Sequence, residues 1–492
     1  MHQQNIHDMY STVENDTGFD AIIVVSSNRA QSRFWQKQLT GATGSVIGKT
    51  TRIISLEEDW PGGAGQFLGT LYAWHKAQRY EDVQSILEGG GSVAMYHTAG
   101  KGTRMAPLPA SEANNKSAIK LPRVIETDTG KRILTVLEAV IFQTGIFARS
   151  RRNRLCVFWG DQVFIPSKSV DFEDKYHAEI LDIRSEIPSD ADTWAREWQS
   201  YGLIIPGDDG ALQREKQTWQ KLQQLVAAGT IKRNSEGKYV LGKSLGCFSI
   251  SYQLLSALIE ESRDELKRKQ RKLDTDPHLW MPLTSDQDEF LSSGGNIRNW
   301  KRVHKFKDRF VSQDDQTFSL FGDKDLGDQT LWWDYGQVRL YYENCLKALG
   351  NSFESSCVQK FYDMEAYHIQ RKNTGGLDIQ NAIIINSDVK GRIRNCILIN
   401  SREDSVELSN CVVLNSVISD VQATGSLMYN CTHLVNEKLD SGSVVADISL
   451  PPQGRVRMRT NLSRDGKDDW ETTIPGNPYT YAELAKLVEK SR

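Results

Sequence analysis

Short β-branched runs alternate with helically spaced stretches through the first third of the chain. Residues 21–26 read AIIVVS, an unbroken apolar run followed by the turn residues Ser27 and Asn28; this predicts a strand buried on both faces. A second strand is predicted at 52–56 (RIISL), another short one at 92–97 (SVAMYH) and a buried one at 155–159 (LCVFW). Between them, 29–39, 69–79 and 133–147 carry apolar residues at helical spacing, and Gly-rich turns fall at 61–65 and 100–103. Strands alternating with helices predict an α/β domain whose parallel sheet is covered on both faces.

The pattern then changes. Residues 191–225 and 254–273 are amphipathic and helical, with strand-like 201–205 and 247–250 among them; 286–319 is polar and weakly patterned, a loop-rich insertion; and 332–349 reads as a strand end feeding a helix. Near the C-terminus a seven-residue unit recurs: NAIIINS from Asn381, NCILINS from Asn395, NCVVLNS from Asn410 and a degraded NCTHLVN from Asn430. Periods of 14, 15 and 20 residues are too short for a helical repeat and suit the coils of a parallel β-helix over 375–450. Each coil would turn its Ile, Leu and Val inward and place Asn at its corners. Val406, Val412 and Ile418, six apart, add the rhythm of the left-handed form. The tail, 451–492, reads as loop closing in a short helix at 481–490.

Composition narrows the class. A chain of 492 residues with 25% charged and 39% apolar residues holds two to four globular domains and is not disordered. Its net charge of −3 gives no general nucleic-acid or membrane surface, and the basic run 267–272 reads as a solvated helix face. No apolar run approaches the ~18 residues of a membrane helix, and the polar lead 1–16 is no signal peptide. Seven cysteines without CxxC or a Cys/His cluster exclude zinc and disulfide scaffolds and point to reduced thiols in the cytoplasm. Cys396, Cys411 and Cys431 each follow a repeat Asn, as small wall residues of the solenoid.

The strongest chemical signal is YHTAGKGTRM at 96–105. A strand running into small residues and G-x-G-T-R lets backbone N–H groups approach a polyphosphate, with no Cβ at Gly100 or Gly102 to intervene and Thr103 beside them. Arg104 can neutralise the β- and γ-phosphates, and Lys116, twelve residues on, can reach the α-phosphate. Two other features are set aside. GSVIGKT at 44–50 is one residue short of a P-loop, with Thr43 at the first glycine position and no strand before it. His97 abuts the phosphate loop, but its strand position fits a core residue, and no G-x-S-x-G supports hydrolase chemistry.

Gly100–Met105 with NKSAIKLP at 115–122 resembles the signature of sugar-1-phosphate nucleotidyltransferases. Four implications follow from that resemblance. Asp161, in Gly160-Asp161 after LCVFW, and Asp334, in WWDYG at 332–336, would hold Mg²⁺. Gly202, in YGLI, Glu215 with Lys216, and Gly246, in SLGCF, would meet the sugar 1-phosphate; here Gln217 replaces the family's proline and Ser244 its asparagine. Gln66, Gly69 and Thr70, in QFLGT, would lie against the base. In most members that element follows the signature, whereas here it precedes it by about thirty residues. This order implies a circularly permuted, Rossmann-like nucleotide domain over 18–350 and is similar to fucose-1-phosphate guanylyltransferases, with Lys116 to Pro122 fitting their K-x-x-x-x-L-P.

The implied activity is an NDP-sugar pyrophosphorylase that uses a nucleoside triphosphate, UTP ahead of GTP, and a sugar 1-phosphate, with no nucleic-acid or membrane partner and a homo-oligomer formed through the β-helix. Two alternatives stay open. One is a non-catalytic regulator resembling exchange-factor subunits; the other is a bifunctional enzyme whose β-helix transfers acyl groups, with only His433 as a base.

Overall fold

Every residue of β1 (Ala21–Ser26) is buried, as its unbroken apolar run predicts. In the computed structural model, which describes residues 1–207, 209–313 and 318–491, β2 (Arg52–Glu57) pairs in parallel with one edge of β1 and β3 (Ser92–His97) with the other. Strand Arg154–Trp159 extends the parallel set beyond β3. Alternate side chains of β1 enter different cores: Ile22 and Val24 pack with Trp35, Tyr96 and Phe158, while Ile23 and Val25 pack with Leu68, Leu71 and Val157. Each such side chain contributes roughly 1.5–3 kcal/mol by burial, which is why both faces must be covered.

Beyond Arg154–Trp159 the nine-stranded sheet turns mixed. Val240–Ser251 runs antiparallel to it and carries Tyr176–Glu186 and the hairpin Gly202–Gly207/Gly210–Glu215. Two small antiparallel pairs stand outside: Lys120–Thr127 with Gly130–Thr135, and Gln162–Ile165 with Leu331–Asp334.

Several expectations need correction. The polar lead holds a helix, His2–Glu14, that buries Ile6, Met9 and Val13; their helical spacing is masked by the polar residues between them. The helix expected over 133–147 starts only at Val136, because Gly130–Thr135 is a strand and Thr135 with Glu138 forms a capping box. The helix expected at 69–79 is Gly65–Ala77. Residues 286–319 are not loop-rich: helices Gln287–Ser292 and Ile297–Gln313 occupy most of them, the second burying Val303, Phe306 and Phe310 against the sheet. Positions 314–317 of that segment lie outside the described residues.

The C-terminal repeats form a curled, parallel-rich sheet with three ladders. One stacks Ile379, Ile393, Leu408, Ala423 and Leu439; a second stacks Ile383, Ile397, Val412, Leu427 and Val444; a third stacks Val389, Glu403, Ile418 and Leu434. The repeat asparagines turn the corners in the left-handed region, with φ of 49° to 56° at Asn381, Asn386, Asn395, Asn400, Asn410, Asn415, Asn430 and Asn436. Asn side chains bond along the stack, as in Asn386 to Asn400 and Asn400 to Asn415, both at 2.7 Å. Cys396, Cys411 and Cys431 are unpaired and buried in its wall. The tail is not loop alone: Gly454–Asn461 pairs antiparallel with Ser443–Leu450 before the expected helix, Tyr481–Lys490. This sheet and the α/β part share one continuous core, in which Leu121 and Tyr341 meet Ile397, Val412, Leu427 and Tyr429. Among the described residues no helix is long and apolar enough to cross a membrane.

Candidate active site

The chain runs from β1 to β2 on one side and then crosses back to β3 on the other side of β1, so a crevice opens beyond the carboxyl ends of these strands, where α/β sheets bind ligands. A cleft of about 670 Å³ lies there. Each parallel strand sends its following residues into it: Ser27 after β1, Glu58 after β2, Ala99 and Gly100 after β3, and Asp161 after Arg154–Trp159. A larger cavity of about 1070 Å³ lies elsewhere, between the Gly202–Glu215 hairpin and Leu283–Asp286. It contains none of these strand ends, so the smaller cleft is the candidate site.

The Gly-rich turn is shaped by Lys116. A Cβ on Gly102, at φ +60°, would stand 2.7 Å from the Lys116 Cβ, so glycine is needed for this approach. The lysine then reaches across the cleft, and its Nζ donates to Asp161 Oδ2 at 2.8 Å. Burial raises the Asp161 carboxyl, but Lys116 and then Arg104 outweigh it and hold the group below its ordinary value. Asp334 arrives from the pair Gln162–Ile165/Leu331–Asp334, and the Tyr335 N–H donates to the Asp161 carbonyl at 2.9 Å. Burial and the neighbouring Asp161 charge push Asp334 up, opposed by the Gly336 N–H at 2.6 Å, Arg104 and Lys116.

Two carboxylates facing one another are the donor set of a hard cation. A Cβ on Gly336 would sit 2.9 Å from Asp334 Oδ1, 3.3 Å from Arg104 Nη2 and 3.9 Å from Asp161 Oδ2, so the bare glycine leaves a cradle between them. The residues therefore fit Mg²⁺, with its remaining ligands left to phosphate and water. No group of three or more Cys, His, Asp or Glu suited to a metal occurs among the described residues. Arg104 is exposed and borders a neighbouring cavity of about 540 Å³ with Arg339 and Arg464.

At the other end of the cleft, Gln66 opens helix Gly65–Ala77 and lines the wall. Thr70 and Gly69, placed against the base in the sequence, are buried below it. The Thr70 hydroxyl bonds the Gln66 carbonyl at 2.8 Å and His97 Nε2 at 2.9 Å, and Gly69 packs beside Glu58 and His97. His97 borders the cleft tilted against Trp159, and burial lowers its pKa to about 4, so the ring stays neutral and braces the loop.

Among the lining residues, Glu58, Trp60, Trp159, Lys272 and Asp274 were given no chemical role in the sequence. Glu58 follows β2, a half-buried strand at the sheet edge, and its place at a strand end could have flagged it; burial raises its carboxyl, and its Oε1 accepts the Ala64 N–H at 2.6 Å. In the basic run 267–272, Lys267, Arg268, Arg271 and Lys272 are exposed, as a solvated face requires, but the run is helical only in part. The helix ends at Arg268, and the next residues form a strap on which the Leu273 carbonyl takes the Phe67 N–H at 3.0 Å.

Of the four sugar-side residues, Gly202, Glu215 and Lys216 lie on or beside the hairpin, where the Lys216 N–H donates to the Tyr201 carbonyl at 3.2 Å, and Gly246 lies on the neighbouring strand. Gly202 pairs with Glu215, whose Oε1 would be 2.7 Å from a Gly202 Cβ, and Gly246, at φ +72°, lies against the Trp159 indole. Tyr201 joins this group to the carboxylates, its ring 5.2 Å from Trp332. Asp276, also missed, lies beside Glu215; burial and then that carboxyl push it up to about 8, so the pair retains a proton at neutral pH. The 44–50 turn is unlike a phosphate loop, because the Thr50 N–H already donates to the Asp16 carboxylate at 3.1 Å. His433 is an exposed corner residue of the curled sheet. The chain matches no protein-family model and no curated protein.

Proposed function

We propose that this chain is a Mg²⁺-dependent sugar-1-phosphate nucleotidyltransferase, built as a circularly permuted nucleotide domain followed by a left-handed β-helix. The observation that carries the reading is the convergence of Lys116, Asp161, Asp334 and Arg104 beside a Gly-rich turn at the ends of parallel strands.

In the proposed reaction a phosphate oxygen of the sugar 1-phosphate attacks the α-phosphorus of the nucleoside triphosphate. The bond from that phosphorus to the bridging oxygen breaks, and pyrophosphate leaves with the electron pair. The N–H groups around Gly102 hold the triphosphate, joined by the Gly100 N–H when it exchanges the Ser27 hydroxyl, now 3.2 Å away, for a phosphate oxygen; Lys116 faces the α-phosphate, and Arg104 takes charge from the leaving pyrophosphate. Asp161 and Asp334 would hold the Mg²⁺, which when bound neutralises phosphate charge. Gly202, Glu215, Lys216 and Gly246 would seat the sugar phosphate, and Gln66 the base, with UTP ahead of GTP. Positioning and fixed charge supply the catalysis, since no covalent intermediate is needed.

The test is pyrophosphate release with Mg²⁺, measured over four nucleoside triphosphates and a panel of sugar 1-phosphates. Release with one pair, and its loss in Lys116→Met, supports the reading. Absence of release with every pair refutes it.

A further inference from the structure

The segment carrying Lys116 takes much of its lateral support from the far end of the chain. Between Thr103 and Lys120 it contains only single turns of helix, Thr103–Met105, Leu108–Ser111 and Lys116–Ala118. At its centre, Glu112 Oε1 accepts from the Tyr429 hydroxyl and from Asn430 Nδ2, each at 2.8 Å, and pairs with Lys120. The same Tyr429 oxygen accepts the Lys120 N–H at 2.8 Å, and the Lys120 ammonium lies 5.4 Å from the ring centre. Tyr341 donates to the Lys120 carbonyl at 2.6 Å. Further along, Asn114 Nδ2 donates to the Ala485 carbonyl of the last helix at 2.8 Å, and Ala106 and Ala110 pack with Ile448, Leu450 and Leu484.

Tyr429 is fully buried on the ladder Leu427–Tyr429. Its hydroxyl thus transmits the position of a rigid stack to a segment with little regular structure of its own. Displacing a charged group in a phosphoryl-transfer site by ~1 Å costs on the order of 10²-fold in rate.

We propose that the curled C-terminal sheet is a working part of the nucleotide site, and that Glu112 and Tyr429 are positioning residues through which it sets Lys116 against Asp161. The proposal rests on the nucleotidyltransferase reading. It differs from a merely structural role, in which the sheet only covers apolar surface and the hydroxyl could be lost without consequence for turnover.

Tyr429→Phe in the full chain keeps the ring and its packing and removes only the two hydroxyl bonds. Steady-state pyrophosphate release is expected to show kcat about tenfold lower or more, with KM for both substrates within about twofold. The melting temperature is expected to stay within about 3 °C, since one or two hydrogen bonds are spread over a large unfolding entropy. Amide hydrogen exchange over 103–119 is expected to quicken. Glu112→Gln keeps an acceptor for Tyr429 and Asn430 and is expected to retain more kcat than Glu112→Ala. Wild-type turnover and unchanged exchange in Tyr429→Phe would overturn the proposal, as would a kcat loss matched by a large fall in melting temperature. A wild-type protein that releases no pyrophosphate overturns the nucleotidyltransferase reading, and the positioning role falls with it. An active wild type beside an equally active Tyr429→Phe overturns the positioning role alone.

Discussion

Lys116→Met deletes the ammonium of the candidate catalytic lysine while keeping a straight stem to pack on Gly102. At 2.8 Å from Asp161 Oδ2 the gross Coulomb attraction is about 6 kcal/mol for an effective dielectric near 20. Both side chains remain a fifth to a quarter exposed, so desolvation and solvent cancel most of it, and about 1–2 kcal/mol of net stability is expected to be lost. Spread over an unfolding entropy of roughly 1 kcal/mol per kelvin for a chain of 492 residues, that lowers the melting temperature by only about 1–2 °C.

The kinetic effect is larger. Losing one preorganised donor to the α-phosphate costs on the order of 10²–10³ in kcat, equivalent to ~2.7–4 kcal/mol. The pH dependence gives an independent reading. Lys116 helps hold Asp161 below its ordinary 3.8, so the carboxylate contributes stability that is present above that value and lost as pH falls through its folded pKa. Lys116→Met raises the Asp161 pKa. The acid limb of kcat/KM should therefore move to higher pH, and the stability deficit should be greatest at neutral pH and vanish in acid. Stopped pyrophosphate assays from pH 3 to 9, with melting curves alongside, measure both. Unchanged kcat with an unmoved acid limb would falsify the assignment of Lys116.

Asp334→Asn keeps an acceptor for the Gly336 N–H but removes a charge from the carboxylate pair; the Mg²⁺ concentration for half-maximal rate should rise by about tenfold or more, and an unchanged Mg²⁺ titration would remove Asp334 as a ligand. Gly102→Ala puts a Cβ at φ +60° and 2.7 Å from the Lys116 Cβ, so kcat should fall with a strain cost of about 1–2 kcal/mol; wild-type kinetics would show that the turn yields freely. Glu403, with 1% exposure on the third ladder, has no hydrogen-bond partner within reach of either carboxyl oxygen among the described residues, and the nearby Ser401 hydroxyl donates to the Ile399 carbonyl at 2.9 Å. Burial pushes Glu403 from 4.5 to about 8, so its folded form keeps the proton; stability present below pH 4.5 is lost as pH rises to 8, by up to about 5 kcal/mol over that 3.5-unit interval. Glu403→Gln should flatten the fall in melting temperature between pH 5 and 9, and an unaltered slope would sink this account.

Several parts of the molecule were legible locally. AIIVVS and SVAMYH coincide with the observed β1 and β3, because a strand covered on both faces needs apolar side chains at successive positions. The repeat asparagines announced the corners, since few other residues adopt the left-handed conformation at low cost. Helix Ile297–Gln313 was missed because its core stripe is only Val303, Phe306 and Phe310 among charged neighbours, and helix His2–Glu14 for the same reason.

The site was legible in its parts but not in its assembly. Gly100, Gly102, Lys116, Asp161 and Asp334 were marked by motif and strand end. Lys272, Asp274 and Asp276 were not, because they lie on a strap whose partners are far away in sequence, as Asp274 accepts the Gln66 N–H at 3.3 Å; Glu58, at the end of β2, was overlooked although its place was legible. The chain alone therefore determined the buried strands, the Gly-rich turn and the Asn-cornered coils, all of which follow from backbone conformation and local burial. Only the tertiary structure decided that Asp161 faces Asp334, that a strap at 271–276 closes on Gly65, and that Tyr429 holds the segment before Lys116. Those contacts depend on the order of strands in the sheet and on long-range packing, which no local pattern of polar and apolar residues encodes.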